Sequence, residues 1–249
     1  MRRLVFVIGI LTALALAAPV AAITNGGPDG NNHPEVGALV APHVYSDGTW
    51  TYCSGTLIAP RVFLTAAHCA TDGGPAIVTF STAYHAGDTV YTGTFHVDPA
   101  YPGPTSDPHD VAVVVLDQAV VGVTPARLPA AGSLDKLTKD LAITSVGYGA
   151  NLVTSGPGGH GFSYDDVRRE AVGTVNTTTT AWLKVSMNPS LGNGGTCYGD
   201  SGGPNFLGDT NVVAATTITG DSVCRSTNVD YRMDSAAVRA FLAGFVALP

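Results

Sequence analysis

Basic residues are scarce in this sequence. Lys and Arg number 12 against 19 Asp and Glu, a net charge of −7 at pH 7. Binding a phosphate backbone needs an excess of cations, so a nucleic-acid partner is excluded. Charge as a whole is thin: 12% of residues are charged and 45% are hydrophobic. Disordered chains show the opposite balance, so a packed core is expected of these 249 residues. Long apolar runs are missing after residue 22, and with them any later membrane span. Four cysteines are too few for a disulfide-dense miniature scaffold, though an even number admits two bridges. Fixed-length repeats are absent, and so are strands alternating with long helices. The second absence counts against a doubly wound parallel sheet.

What is present begins with an export signal. Arg2 and Arg3 precede an apolar run from Leu4 to Ala18, and Val20-Ala21-Ala22 supplies small residues for cleavage. Residues 1–22 therefore read as a signal peptide, and the protein as secreted. Fifteen apolar residues fall short of the ~20 that a transmembrane helix needs. Cleavage leaves 227 residues with ten Lys and Arg against 19 acids, a net charge of −9. Export also permits stable disulfides.

The remainder reads as all-β. Short runs rich in Val, Ile, Thr and Tyr alternate with Gly, Pro, Asn and Asp. They are 36–42, 49–59, 76–80, 90–97, 111–116, 141–146, 167–175, 181–187 and 211–219. Strands at this spacing predict a sandwich or barrel. Val238, Phe241, Leu242 and Phe245 follow a helical period, so a helix from Ser235, its cap, to Ala247 closes the chain. Two glycine-rich stretches, 151–163 and 188–195, read as mobile surface loops. Asn176-Thr177-Thr178 is a glycosylation sequon that reads as a Thr-rich turn.

Three local patterns carry chemistry. They are Leu64-Thr65-Ala66-Ala67-His68-Cys69, His109-Asp110 followed by Val-Ala-Val-Val-Val-Leu, and Gly199-Asp200-Ser201-Gly202-Gly203-Pro204. A serine hydroxyl attacks only if a base removes its proton, and imidazole titrates in the right range. A buried carboxylate holds that imidazole in one tautomer. The developing oxyanion needs backbone N–H donors, which Gly199 and Ser201 can supply. Gly199-x-Ser201-x-Gly203 also fits the nucleophile elbow of α/β-hydrolases, whose triad runs serine, acid, histidine. Here the order is His68, Asp110, Ser201, and no histidine follows Ser201. That fold is excluded in its usual form.

The three motifs resemble those of the chymotrypsin-like (trypsin-family) serine endopeptidases. Ser54-Gly55-Thr56-Leu57-Ile58 and Gly147-Tyr148-Gly149 match that family in the right order as well. The resemblance covers most of residues 23–249. It implies two antiparallel six-stranded β-barrels with a C-terminal helix. The first, residues 23–130, would carry His68 and Asp110; the second, 131–249, would carry Ser201 and the helix. It implies Cys53 paired with Cys69 and Cys197 with Cys224, closing loops of 16 and 27 residues. Each bridge is worth roughly 3 kcal/mol. An ion pair between a freed Ile23 and Asp200 would order the oxyanion hole, with signal cleavage itself as the activating step. The substrate pocket is expected from Gly195, Thr196, Gly220 and Val229, with its far wall from Thr217–Ser222. Gly195 stands where an acid would select Arg or Lys. Small or medium uncharged side chains are therefore expected, unless Asp221 or Asp230 brings a charge.

The implied partners are protein or peptide substrates, acted on by a monomer without cofactors. The histidines at 33, 43, 85, 96 and 160 lack metal-ligand spacing, so no metal is expected. Asp72 and Asp88 do not reproduce the family's calcium-binding glutamates. Asp107 and Asp117 rival Asp110, but only Asp110 opens the apolar strand directly. His109 reads as a surface neighbour. Two other functions share these features: a secreted binding protein of the same fold without catalysis, and an esterase-like hydrolase.

Overall fold

A computed structural model describes residues 23–70, 75–103, 108–157 and 159–249. The signal-peptide reading, Asp72 and Asp107 lie outside them. In chain order the strands are β1 (Gly27–Pro28), β2 (Val36–Val40), β3 (Thr51–Ala59), β4 (Val62–Thr65), β5 (Ala76–Thr79), β6 (Val90–Val97) and β7 (Ala112–Leu116). Then come β8 (Ala142–Gly147), β9 (Leu152–Gly156), β10 (Gly159–Ser163), β11 (Arg169–Thr178), β12 (Trp182–Ser186), β13 (Pro204–Leu207), β14 (Val213–Gly220) and β15 (Thr227–Arg232). Every pairing between these strands is antiparallel.

Two six-stranded barrels result. The first closes in the order β2-β3-β4-β7-β6-β5. The second runs β11-β12-β15-β14-β13-β8 and closes where β8 meets β11. Valine and leucine side chains fill the first barrel. Val62, Leu64, Val113, Val114 and Leu116 are all buried, and Phe63, Phe80 and Tyr91 stack edge to face within it. The second barrel buries Leu134, Ile143, Val175, Leu183 and Val185. It also encloses a polar network. Ser145 Oγ donates to Asn205 Oδ1 at 2.6 Å, Asn205 Nδ2 to Thr217 Oγ1 at 3.0 Å, and Asn228 Nδ2 to Asp230 at 2.6 Å.

Polar groups also tie the barrels together. Arg168, wholly buried, donates to Asp29 Oδ2 at 2.8 Å and to the carbonyls of Val36 and Phe80. Asp166 accepts the Trp50 and Thr51 N–H groups. The termini cross over: β1 pairs with β11 of the second barrel, while Phe245 packs its ring 5.2 Å from His96 of the first.

Several expectations need correction. Strands β1, β4, β13 and β15 lie outside the expected runs, and Asn176-Thr177-Thr178 ends strand β11, paired with β12, rather than forming a turn. Pro204 and Asn205 of β13, and Asn228 and Asp230 of β15, are poor strand formers, and tertiary pairing overrides that. The stretch 151–163 is the β9–β10 hairpin rather than a loop. The terminal helix α1 is shorter than expected, Ala236–Leu242. Tight turns at Gly244 and Phe245 end it. Ser235 precedes it, but its hydroxyl donates to Arg232 O instead of capping.

Candidate active site

Barrel pairing brings His68 to Asp110. β4 and β7 are neighbours, with Thr65 opposite Ala112. His68 follows β4 on a single 3₁₀ turn, Ala67–Cys69, and Asp110 precedes β7. Asp110 Oδ2 lies 2.7 Å from His68 Nδ1, and Asp110 Oδ1 accepts the His68 backbone N–H at 3.0 Å. Asp110 is buried, while His68 keeps 27% of its side chain exposed. A buried carboxylate thus faces the inner ring nitrogen, and the outer one is left for a substrate or nucleophile. The rival Asp117 accepts Thr92 Oγ1 instead, and His109 pairs with Asp98 at 3.0 Å.

Ser201 is held from both barrels. The Ser54 N–H of β3 donates to Ser201 O at 2.9 Å, and Cys69 Sγ lies 3.7 Å from the same oxygen. From the other side, Gly202 N–H donates to Thr217 O at 2.8 Å. Ser54 Oγ donates to Gly199 O and accepts the Tyr148 N–H, each at 3.0 Å. The role of Ser54 was missed. It lies within a matched motif, but nothing in the sequence marks its hydroxyl as a clamp.

The loop at Ser201 sorts its amides. Asp200, Gly202 and Gly203 donate their N–H groups to Cys197, Thr217 and Asp200 carbonyls. Among the described residues, no protein acceptor takes the Gly199 or Ser201 N–H. Gly199 sits at φ +95°, a conformation open to glycine. These two donors can stabilise an oxyanion.

Asp200 is wholly buried beneath them. It accepts the Gly149 and Cys197 N–H groups, each at 2.8 Å. Burial raises its carboxyl to about 7, more than those two bonds lower it. Ile23 is also buried, and Thr24 bridges to Gly195. In the intact chain the Ile23 nitrogen is a peptide amide, so it carries no charge to offer Asp200.

Both disulfides form, Cys53–Cys69 and Cys197–Cys224. The second walls a cavity of about 210 Å³ beside Ser201, with Thr196, Thr217, Thr219, Gly220 and Tyr198. Thr196 and Gly220 were expected there. Gly195 and Val229 were expected too, and neither is a wall. A Cβ on Gly195 would lie 2.4 Å from Met187 Cγ and Sδ, so the thioether fills the space beside it. Val229 is spent in the β15 ladder, opposite Lys184 and Thr219. Asp221 touches the cavity, but its carboxylate accepts the Arg225, Ser226 and Thr227 N–H groups. Burial raises the Asp221 carboxyl, and those bonds outweigh it and hold the group below its ordinary value.

Two triads of metal-ligand types occur among the described residues. In one, Cys53 and Cys69 are bonded to each other beside His68. In the other, His33 Nδ1 lies between the Asp29 and Glu170 carboxylates, at 2.6 and 3.3 Å, and Asp29 also accepts from Arg168. Among the described residues no helix is long and apolar enough to cross a membrane.

Comparison with known proteins agrees with the fold. The family model described as Trypsin matches residues 30–239. A protein named Trypsin from Saccharopolyspora erythraea is 31% identical over 192 residues, 72% of this chain and 79% of that one. The solved structure of HL collagenase superposes with a TM-score of 0.65 at 19% identity, covering 85% of this chain and 93% of that one. Human heparin binding protein superposes with a TM-score of 0.67 at 17% identity, covering 90% and 98%. At those identities the two structures speak for the fold alone.

Proposed function

The chain belongs to the trypsin family and is a serine endopeptidase, and we propose that His68, Asp110 and Ser201 are its catalytic triad. The observation that carries this is the double contact of Asp110 with His68, beside a Ser201 fixed from both barrels.

Catalysis then runs in two acyl transfers. Ser201 Oγ attacks the scissile carbonyl carbon while His68 Nε2 takes its proton. The Gly199 and Ser201 N–H groups receive the oxyanion. His68 returns the proton to the departing amine as the C–N bond breaks, leaving an acyl ester on Ser201. Water, deprotonated by His68, attacks that ester. Its collapse releases the new carboxyl terminus and restores the Ser201 hydroxyl. Asp110 holds the ring through Nδ1 and stabilises the imidazolium.

The cavity of about 210 Å³ takes the substrate residue on the acyl side of the scissile bond. Threonines line it, and its one carboxylate is occupied by the backbone of its own loop. That supports small or medium uncharged residues over Arg or Lys. Export through residues 1–22 would free Ile23, whose ammonium would then neutralise Asp200 and fix the Gly199–Ser201 loop. The two disulfides fit an oxidising compartment.

Digestion of a mixed-sequence peptide library, read by mass spectrometry, tests the substrate assignment. Cleavage after residues such as Ala, Val or Thr is expected. Dominant cleavage after Arg or Lys would overturn it. N-terminal sequencing of the secreted protein tests the activation step, with Ile23 expected first.

A further inference from the structure

The β9–β10 hairpin stands apart from both barrels, forming a two-stranded sheet of its own. Side chains fix it in place. Phe162 of β10 meets Tyr198 edge to face, with ring centroids 4.8 Å apart and planes at 73°. Phe162, Val153 and Tyr164 pack on Ala150 and the Cys197–Cys224 pair. Tyr164 Cε1 lies 3.7 Å from where a Cβ would stand on Gly199. The hairpin therefore leans on the pocket disulfide, on the cavity wall and on one oxyanion donor.

Tyr198 is the largest side chain of the cavity wall. It is 50% exposed, whereas Thr196 and Thr217 of the same wall are each 4% exposed. Tyr198 thus forms the rim and the threonines the interior. A half-exposed tyrosine has several rotamers open to it unless a neighbour selects one. The Phe162 ring is that neighbour.

We propose that Phe162 is a positioning residue of the substrate pocket: it holds Tyr198 across the rim, so the β9–β10 hairpin sets the largest side chain the pocket admits. This rests on the triad reading and on the cavity as the acyl-side pocket. Without the Phe162 ring, Tyr198 swings outward and larger side chains enter. The interior walls and the triad stay in place.

The test compares kcat/KM on matched peptide anilides with Ala, Val or Phe on the acyl side. An edge-to-face pair of this kind corresponds to about a tenfold factor in selectivity. Phe162→Ala should narrow the preference for Ala and Val over Phe by about that factor, mainly through KM for the Phe substrate. Phe162→Tyr should keep the wild-type ratio. Tyr198→Ala should narrow it as Phe162→Ala does, and the double variant should add nothing further. If Phe162→Ala does not fold, Phe162→Leu is read instead; it keeps an apolar contact on the disulfide but no ring edge. An unchanged ratio in the folded variant, or effects that multiply in the double variant, would overturn the proposal. Labelling by a fluorophosphonate separates the two layers. An unlabelled wild type refutes the triad, whereas a labelled enzyme with unchanged selectivity in the variant refutes only the role of Phe162.

Discussion

Asp110 grips His68 at two points, the ring Nδ1 at 2.7 Å and the backbone N–H at 3.0 Å. The first contact selects the tautomer; the second locks the 3₁₀ turn on which the ring stands. Asp110→Asn keeps the shape but can present an amide N–H to Nδ1, favouring the wrong tautomer. It should lower kcat by about 10⁴. KM and the melting temperature should change little. Steady-state kinetics and calorimetry check both, and a loss confined to KM would argue against the tautomer role.

Asp200 predicts a pH dependence. Burial raises its folded pKa to about 7, above the ordinary 3.8. The folded state therefore prefers the protonated acid. That contribution is fully present below about pH 4 and is lost as pH rises through about 7, worth roughly 4 kcal/mol in all. A chain with Ala22 retained ahead of Ile23 should lose stability over that window, and Asp200→Asn should flatten the loss. In a chain beginning at Ile23, an ammonium facing Asp200 should remove or reverse it. Denaturant titrations across the window distinguish the two forms.

Arg168 and Asp29 form an ion pair with both side chains wholly buried. Replacing Arg168 by Met strands the carboxylate and should cost about 3–5 kcal/mol. Replacing both partners by apolar residues should cost less than the single change. Urea unfolding of the two variants makes the comparison. A smaller loss in the single variant would show that His33, at 2.6 Å from Asp29, compensates alone.

Gly195→Asp should not create an Arg-specific enzyme. The new side chain would meet Met187 at its first carbon. Overpacking of this kind costs about 1–3 kcal/mol. A lowered melting temperature with no gain in cleavage after Arg or Lys is expected. Gain of such cleavage at an unchanged melting temperature would show that the site accepts the acid.

Much of the fold was legible because the signals are local. Val-rich runs announced β2 and β7, and the motifs around His68, Asp110 and Ser201 carry their chemistry in a few adjacent residues. Strand β15 was not legible. Asn228 and Asp230 are buried in the barrel, where Asn228 Nδ2 donates to Asp230 Oδ1 and lies 3.5 Å from Asn205 Oδ1 of β13. No local pattern announces such a partner. The pocket was legible only in part, for the same reason. Thr196 and Gly220 are set by their distance from Ser201 and Cys224, whereas the fate of Gly195 depends on Met187, which reaches it from β12's end. The hairpin was hidden by its glycines, which read as a loop until Phe162 is seen against Tyr198.

The central claim is that Ser201 is a nucleophile activated by His68 and Asp110. Its most direct test is covalent labelling of the protein by a fluorophosphonate, with the modified residue located by mass spectrometry. Stoichiometric label on Ser201, abolished in Ser201→Ala and strongly slowed in Asp110→Asn, is the predicted result. An unlabelled wild type, or label that persists in Ser201→Ala, would contradict it.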